Sequence, residues 1–542
     1  MKLLLLSIFL CMALSTKASN WPWVRSFGGY DMDLATQVAV DNLGNVYVSG
    51  EYHSSALLFQ SDTLHLVGDK DCFLAKLDKY GNEKWVIRIG SSINGTDSAE
   101  GISKIIFDQV GGGVIIGGWF LANLKVDTTS ILGDNNSVDY FIAKIDSSGN
   151  CKWISHGGGI STDAFNSFFV NSDGNIISLV LSKAGGSFDT FSVGPGLILA
   201  KFSDVGTCFF AKSITPFGYG RIDALGNDFI IAGHAIPGID SIRIDTITLV
   251  PHNQSGDMFC SRFDSSGNVI WATIDWGTTT YDNLSDVVVD SLFGIYTYGQ
   301  YADTCYFQND TVISPPFTID VFLCKRDEFG NVLWLKTLQA SGLGNAGRNI
   351  VLDSNRNIYV AGTFSGNAIF GIDTISSSSI LDMFLAAYSP VGQCLGVEHL
   401  QQSEGLGLAL DKNDGSVYIG GSYGNSIISA SNTVHKVGMD DGFLIKHGGF
   451  TIGIEEQKVD KKNLVIYANP TNGSCTLKLP EEFRNESNIY LILIDSQGRI
   501  IESRTIAQSK EMRLNLSAYS KGLYYVTLSN GKSIYKGRIV FD

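Results

Sequence analysis

The chain has 542 residues, 44% hydrophobic and 17% charged, with 60 glycines, 10 prolines and a formal net charge of -15. That apolar content excludes a disordered protein and suffices for two or more domains. Residues 20–454 carry 44 acidic against 24 basic side chains, and residues 455–542 carry 10 against 13. So acidic a body repels a phosphate backbone and speaks against nucleic acid as a partner. Solubility outside the cell accounts for the acidity; divalent-cation binding is the alternative.

In chain order, MKLLLLSIFLCMALSTKAS combines a lysine, an apolar run and small residues near positions 15–19. This is the pattern of a secretory signal over residues 1–19, so the mature chain is expected to be exported. Leu10 is not the small residue that lipoprotein processing at Cys11 requires. No later run reaches the roughly 18 apolar residues that span a bilayer, so no transmembrane segment is expected.

Two strings then recur. One, as in VAVDNLGNVYVSG (38–50) and IVLDSNRNIYVAG (350–362), occurs seven times. The other, as in DCFLAKLDKYGNEKW (71–85) and DYFIAKIDSSGNCKW (139–153), is anchored on Phe73, Phe141, Ile198, Phe259, Phe322, Phe384 and Phe443, at intervals of 57 to 68 residues. Each places Val, Ile, Phe and Tyr around an Asp/Asn/Gly cluster and reads as a hairpin. A weaker element with a repeated Asp-Thr (FQSDTLHL, IRIDTITL) predicts a short extra hairpin or loop on one edge. Four main strands per period, apolar on both faces and with almost no helix, predict an all-β fold: a seven-bladed β-propeller over residues 20–450. Trp85, Trp153, Phe210, Trp271 and Trp334 open the fourth strand as wedges for the next blade. The segment WPWVRSFGG (21–29) resembles a fourth strand without its predecessors, and the seventh copy ends without one. The N-terminal strand is therefore expected beside residues 443–447, closing the ring.

Cys151, Cys208 and Cys394 hold equivalent positions in different repeats, too far apart to pair. Most of the eight mature cysteines are expected to be buried free thiols, with Cys305–Cys324 the one pairing to test. Zinc-ligand spacing is absent.

Asp71, Asp139, Asp257, Asp320, Asp382 and Asp440 precede the third strand of six repeats, and Asp78, Asp146, Asp264 and Asp327 open its turn. They read as local caps accepting loop amides, or as an acidic ring holding cations along one face. DKNDG (411–415) resembles a calcium loop, but Ser422 stands where a glutamate is needed, so it is expected to be a hairpin turn. Neither HExxH nor GxSxG occurs, and no catalytic residue or cofactor is assigned. Carboxylates from different blades could still assemble a polysaccharide hydrolase or lyase. Symmetry-breaking segments, KAGGSFDTFSVGPG (183–196) and TPFGYG (215–220), are the expected place for function.

Beyond a charged linker, TIGIEEQKVDKK (451–462), the segments NLVIYANPTNGSCTLKLP, IYLILIDSQGRIIESRTI and MRLNLSAYSKGLYYVTLSNGKSIYKGRIVFD alternate strands with turns. They predict a small Ig-like β-sandwich over residues 463–542.

The D-x-F-[LI]-A-K-[LI]-D-x-x-G-N-x-x-W string resembles the SBBP repeat family of bacterial extracellular β-propellers, over roughly residues 21–449; copies three and six match less well. That resemblance implies a fold and an exported location, but no single activity. The tail resembles the type A C-terminal sorting domain of the type IX secretion system of Bacteroidota. Its carrying residues are Asn469, Pro470, Thr471, Asn472 and Gly473, then Asp495 and Gly498, then Leu516, Gly522, Tyr524 and Val526, and finally KGRIV; Ala468 departs from the usual proline. The resemblance implies recognition by the type IX machinery at the outer membrane, tail removal, and release or surface attachment. Together these features predict a secreted or surface-attached binding protein whose loops meet a glycan or protein ligand, with the polysaccharide-active enzyme as the alternative.

Overall fold

A computed structural model describes residues 20–90, 100–133, 137–215, 218–235, 241–251, 257–279, 282–342, 344–371, 373–377, 379–450, 462–483, 489–495, 500–506, 509–529 and 534–542. The expected signal over residues 1–19 and nearly all of the expected linker over 451–462 lie outside them. The chain divides into two compact units, Met1–Phe450 and Thr451–Asp542. Among the described residues the single helical element is a 3-10 turn, Glu481–Phe483.

In the first unit the repeated strings become antiparallel sheets. Asp33–Val40, Val46–Tyr52, Asp71–Leu77 and Glu83–Gly90 pair in that order. Every residue of Asp71–Leu77 is buried, as a strand apolar on both faces requires. Among the described residues the same four-strand connectivity recurs seven times, in three four-stranded sheets and four that a hairpin extends to six strands, numbered one to seven by their innermost strands: Asp33–Val40, Gly101–Phe107, Asp163–Val170, Tyr219–Leu225, Asn283–Val289, Ala346–Leu352 and Ser403–Leu410. Each innermost strand packs against the next, and the seventh returns to the first, so the ring is closed and propeller-like.

Cores lie between sheets rather than within them. Cys72 and Leu74 of sheet one meet Ile105 and Phe141 of sheet two in one cluster. Six further clusters fill the remaining interfaces. Closure is made by the first described strand. Trp23–Phe27 is the outermost strand of sheet seven, with Trp23 opposite Lys446, Val24 opposite Ile445 and Ser26 opposite Phe443.

The Asp-Thr segments form insert hairpins, of which four pair with the outer edge of the preceding sheet, while Ala56–Leu58 with Thr63–His65 and Ile242–Ile244 with Ile247–Leu249 stand as separate two-stranded sheets. Asn123–Val126 pairs with Glu83–Gly90, Gly186–Phe188 with Cys151–Gly158, Thr304–Phe307 with Val269–Gly277, and Asn367–Phe370 with Val332–Ala340. An outer strand so covered no longer offers unpaired amides to another chain. The hairpin turns place Asp127, Asp189 and Asp245 at φ of 53°, 54° and 52°, a left-handed conformation that aspartate tolerates well. All eight cysteines among the described residues are free thiols. The Cys305–Cys324 pairing is therefore corrected: Cys305 sits in an insert hairpin and Cys324 in a third strand, each buried.

In the second unit, a five-stranded sheet (Lys462–Asn463, Ile534–Phe541, Gly522–Ser529, Ile489–Asp495, Ile500–Ile506) and a three-stranded sheet (Val465–Tyr467, Ser474–Lys478, Glu511–Asn515) share one core. Leu477 and Leu514 come from the smaller sheet, Leu491, Val526 and Ile539 from the larger.

Candidate binding site at the axial cavity

The repeated residues are occupied in holding sheet to sheet. The indole of Trp85 donates to the carbonyl of Ser147 at 3.1 Å, Trp153 to Asp204 at 3.0 Å, Trp271 to Glu328 at 3.1 Å and Trp334 to Pro390 at 3.3 Å. Each acceptor lies in the turn of the following sheet. The ring covers the glycine of that turn: a Cβ on Gly149 would lie 3.0 Å from Trp85, and one on Gly330 2.9 Å from Trp271. The turn is shaped by its aspartate. Asp78 accepts the amides of Tyr80 and Asn82 at 3.0 and 2.9 Å, and Asp264 those of Ser266 and Asn268 at 3.0 and 2.8 Å. The lysine of the A-K-L motif pairs with the other turn of its own sheet, as in Lys144–Asp108 at 2.6 Å.

Asp71, Asp139, Asp257, Asp320 and Asp382 are buried, one per sheet, at the start of the third strand. Asp71 accepts Val67 N at 2.8 Å and both Nε and Nη2 of Arg88, at 2.6 and 2.7 Å; Asp320 accepts Ala340 N at 3.1 Å. In sheet seven the equivalent residue is Asp441, not Asp440. Asp441 is buried, opens the strand Asp441–His447 and accepts Val437 N at 2.8 Å. Asp440 lies one residue earlier, where its carbonyl accepts Asp33 N at 2.9 Å and its side chain lines an open groove of about 570 Å³ beside Glu404 and Ile380. Among the described residues no group of three or more His, Cys, Asp or Glu side chains is placed to hold a metal ion. DKNDG forms a hairpin turn in which Asp411 accepts Asn413 N at 2.8 Å.

The regular pattern fails at the axis. Six innermost strands carry a bulge, which leaves Thr36, Ser103, Asn166, Ser285, Arg348 and Leu406 without a partner across the ladder. Sheet four has none: Tyr219 to Leu225 pair in unbroken register with His234 to Asp228, and the turn shrinks to Gly226 and Asn227. Arg221 of this strand spans the gap. Its Nε donates to Ser285 O and its Nη1 to Asn166 O, both at 3.0 Å, so one guanidinium joins the bulges of sheets three and five.

Beside it lies a cavity of about 370 Å³, walled by Arg221, Arg348, Tyr219, His234, Gln37 and Asn283 among others. Tyr219 and His234 stack with centroids 5.3 Å apart and planes at 28°. Burial, reinforced by the Arg221 charge, pushes His234 down to about 4, so it is neutral at pH 7. No aspartate or glutamate lines the wall. The nearby acids are engaged elsewhere: Asp223 accepts Val289 N at 2.7 Å, and Asp286 accepts Val287 N at 3.0 Å and Ile350 N at 3.3 Å, in each case reaching the next sheet. Neither arginine was marked by any sequence motif. Of the expected symmetry-breaking segments, residues 183–196 build an ordinary insert hairpin, Gly186–Phe188 with Phe191–Val193. TPFGYG does reach the cavity, through Tyr219 and Gly220, with residues 216–217 outside the described set.

In the second unit Asn469 clasps the last strand: its Nδ2 donates to Arg538 O at 2.6 Å and its Oδ1 accepts Val540 N at 2.8 Å. Buried Thr471 donates its amide to Val540 O at 2.8 Å and its hydroxyl to Ser474 O at 2.6 Å. Pro470 and Asn472 are exposed. Gly473 has φ 146° and Gly522 φ 155°, both in the region that favours glycine. Tyr524 is buried with its hydroxyl on Ser520 O at 2.5 Å. Asp495 stands opposite Tyr524 in the larger sheet; Gly498 lies outside the described residues.

Fold and tail define an exported all-β protein: a propeller-like ring followed by a secretion domain. Residues 465–542 match the family of secretion system C-terminal sorting domains, so the chain carries a type IX sorting domain and resides at the outer surface or in the medium. Among curated proteins it is similar to an uncharacterized WD repeat-containing protein of Acanthamoeba polyphaga mimivirus, 21% identical over 539 residues, covering 79% of this chain and 38% of that one. The chain thus spans well under half the length of that relative. Among solved structures it is similar to the extracellular domain of a hybrid two-component system protein from B. thetaiotaomicron, at 10% identity over 94% of this chain and 68% of that chain, TM-score 0.25. It is also similar to a DUF4221 family member from Bacteroides vulgatus, at 9% identity over 79% of this chain and 96% of that chain, TM-score 0.29.

Proposed function

We propose that this is an exported binding protein. A signal over residues 1–19 starts export, SBBP-type repeats over residues 20–450 form a rigid disc that takes a glycan or protein ligand, and residues 463–542 engage the type IX machinery. One observation carries the binding reading. The cavity sits where the repeat symmetry fails, and its wall offers two arginines from different sheets, side-chain amides and a half-exposed tyrosine, without a carboxylate. Pockets of roughly 300–1,000 Å³ with a few convergent polar groups are the usual size for small-ligand recognition. A polysaccharide hydrolase needs a pair of carboxylic groups flanking the bond it cleaves, and Asp223 and Asp286 instead receive backbone amides of neighbouring sheets. Glycan and peptide arrays probed with the full-length secreted protein test this reading. Saturable binding to a defined ligand without its turnover supports it. Chain shortening of a polysaccharide, or no saturable binding on either array, overturns it.

A further inference from the structure

We infer that the axial cavity takes an acidic sugar, with a carboxylate held by Arg348 and Arg221 and the sugar ring against Tyr219. This rests on the binding reading above and names the ligand class for that site.

The argument begins with charge pairing. Several basic side chains of this acidic ring have carboxylate partners: Lys144 with Asp108 at 2.6 Å, Arg88 with Asp71 at 2.6 Å, Arg262 with Asp228 at 2.8 Å. Arg221 and Arg348 have none within 4 Å among the described residues, although both line one cavity. Burial disfavours the Arg221 charge and the more distant Asp286 carboxylate offsets this only in part; an anion placed between Arg221 and Arg348 would offset the rest. The two arginines differ in preparation. Arg221 is fixed by carbonyls on both sides, while its Nη2 makes no hydrogen bond among the described residues. Arg348 occupies the bulge of sheet six and is exposed, free to swing onto a ligand. One pre-set and one adjustable guanidinium suit a planar carboxylate, which accepts paired N–H donors.

The rest of the wall selects for a sugar. Tyr219 is 45% exposed and held flat by its stacking on His234, so it offers a fixed aromatic face at the rim. Gln37 and Asn283 add amides able to meet several hydroxyls. His234 Nδ1 and Asn349 Oδ1, both in this wall, are buried without a hydrogen-bond partner. Buried polar atoms are rarely left so in a finished structure, and a hydroxyl-rich ligand can supply the missing partners as the side chains settle on it.

The test is calorimetric titration of the full-length protein with galacturonate and glucuronate oligosaccharides, their neutral parent sugars, sulfated sugars, and a peptide with a free C-terminal carboxylate. The expected result is uronate binding that weakens as salt rises and falls at least about tenfold in Arg348→Ala, with partial recovery in Arg348→Lys. Lys125→Gln, on an insert hairpin, leaves it unchanged. Arg348 is exposed and makes no hydrogen bond among the described residues, so its variants keep the thermal transition of the parent. Binding of neutral sugars, sulfated sugars or the peptide in preference to uronates overturns this inference and leaves the binding reading standing, as does uronate binding indifferent to Arg348→Ala. Absence of binding to every probe here, together with empty arrays, overturns both.

Discussion

Trp23 donates its indole N–H to the carbonyl of Lys79 at 3.2 Å, and the same ring lies 3.1 Å from the position a Cβ would take on Gly81. Strand pairing assigns Trp23 to sheet seven, whereas Lys79 and Gly81 form a turn of sheet one. The lock used between other neighbouring sheets is thus also the lock that shuts the ring.

Trp23→Ala removes both the wedge and the indole donor. We expect a loss of about 3–5 kcal/mol from the ring's unfolding transition in urea. Deleting residues 20–27 additionally bares the outer edge of Asp441–His447, and light scattering is expected to show self-association. A variant as stable and monomeric as the parent contradicts closure by this strand.

Gly149 has φ 91° beneath the Trp85 ring. An alanine there meets both an unfavourable backbone conformation and the indole. Gly149→Ala is expected to cost about 1–2 kcal/mol, read from the same denaturation curve. Gly112, with φ 70° but open space where its Cβ would go, should cost only the backbone part when changed to Ala.

Stability should rise between pH 7 and pH 5. Burial pushes Asp223, Asp282 and Asp320 up to about 6, and Asp33, Asp71 and Asp441 shift the same way for the same reason. The folded state therefore takes up protons at a higher pH than the unfolded state, and folding gains as pH falls through about 6. His234, pushed down to about 4, opposes this over part of the range. Against the upward pull of burial, hydrogen bonds from Asn82 and Lys84 hold Asp78 down to about 2. Its contribution is present above the ordinary carboxyl value and is lost as pH falls further. The Tm is expected to be higher at pH 5 than at pH 7 and to drop by pH 3, with a smaller rise in Asp320→Asn. A Tm that falls steadily from pH 7 to pH 5 contradicts this balance.

Native thiols should be inert. Burial pushes Cys208, Cys260 and Cys324 up to about 12 and raises Cys72 and Cys305 as well, so thiolate is scarce at neutral pH. Alkylation followed by mass spectrometry is expected to label these five only after unfolding, and reductant to leave the Tm unchanged. A reductant-sensitive Tm would restore the Cys305–Cys324 pairing.

Asn469→Ala frees the last strand of the sorting domain from its side-chain clasp. Less protein is expected at the surface and in the medium, with the remainder retained inside the cell, as quantified by fractionation and immunoblotting. Lys478→Ala, on an exposed position of the smaller sheet, serves as the control for expression. Unchanged export of the Asn469 variant shows that the clasp is dispensable for recognition.

Ring closure was legible because the sequence writes a fourth strand at one end and omits it at the other. The turn aspartates and tryptophans were legible because each performs its role within a few residues of its motif. Asp440 was misplaced because the doublet Asp440-Asp441 hides the register, and the D-x-F spacing selects Asp441. A one-residue slip in a strand carries a side chain to the opposite face. Arg221 and Arg348 had no local signature, since their arrangement depends on sheets three to six meeting at the axis. The shortened turn of the fourth copy, IDALGND, was the available signal, because it accompanies the strand without a bulge. The unusual sequence at 183–196 misled in the opposite sense: a short hairpin tolerates wide variation, so divergence there leaves the backbone path unchanged.

Pairing Trp23 with Lys446 also imposes a schedule. Contacts between positions roughly four hundred residues apart form late, because the intervening chain must first be gathered in. The strand Trp23–Phe27 is synthesised long before the sheet it completes, so until then it is an unclaimed strand and the seventh sheet an unfilled slot. At high local concentration a second molecule's leading strand competes for that slot. Refolding at increasing dilution should therefore favour monomers over strand-exchanged pairs.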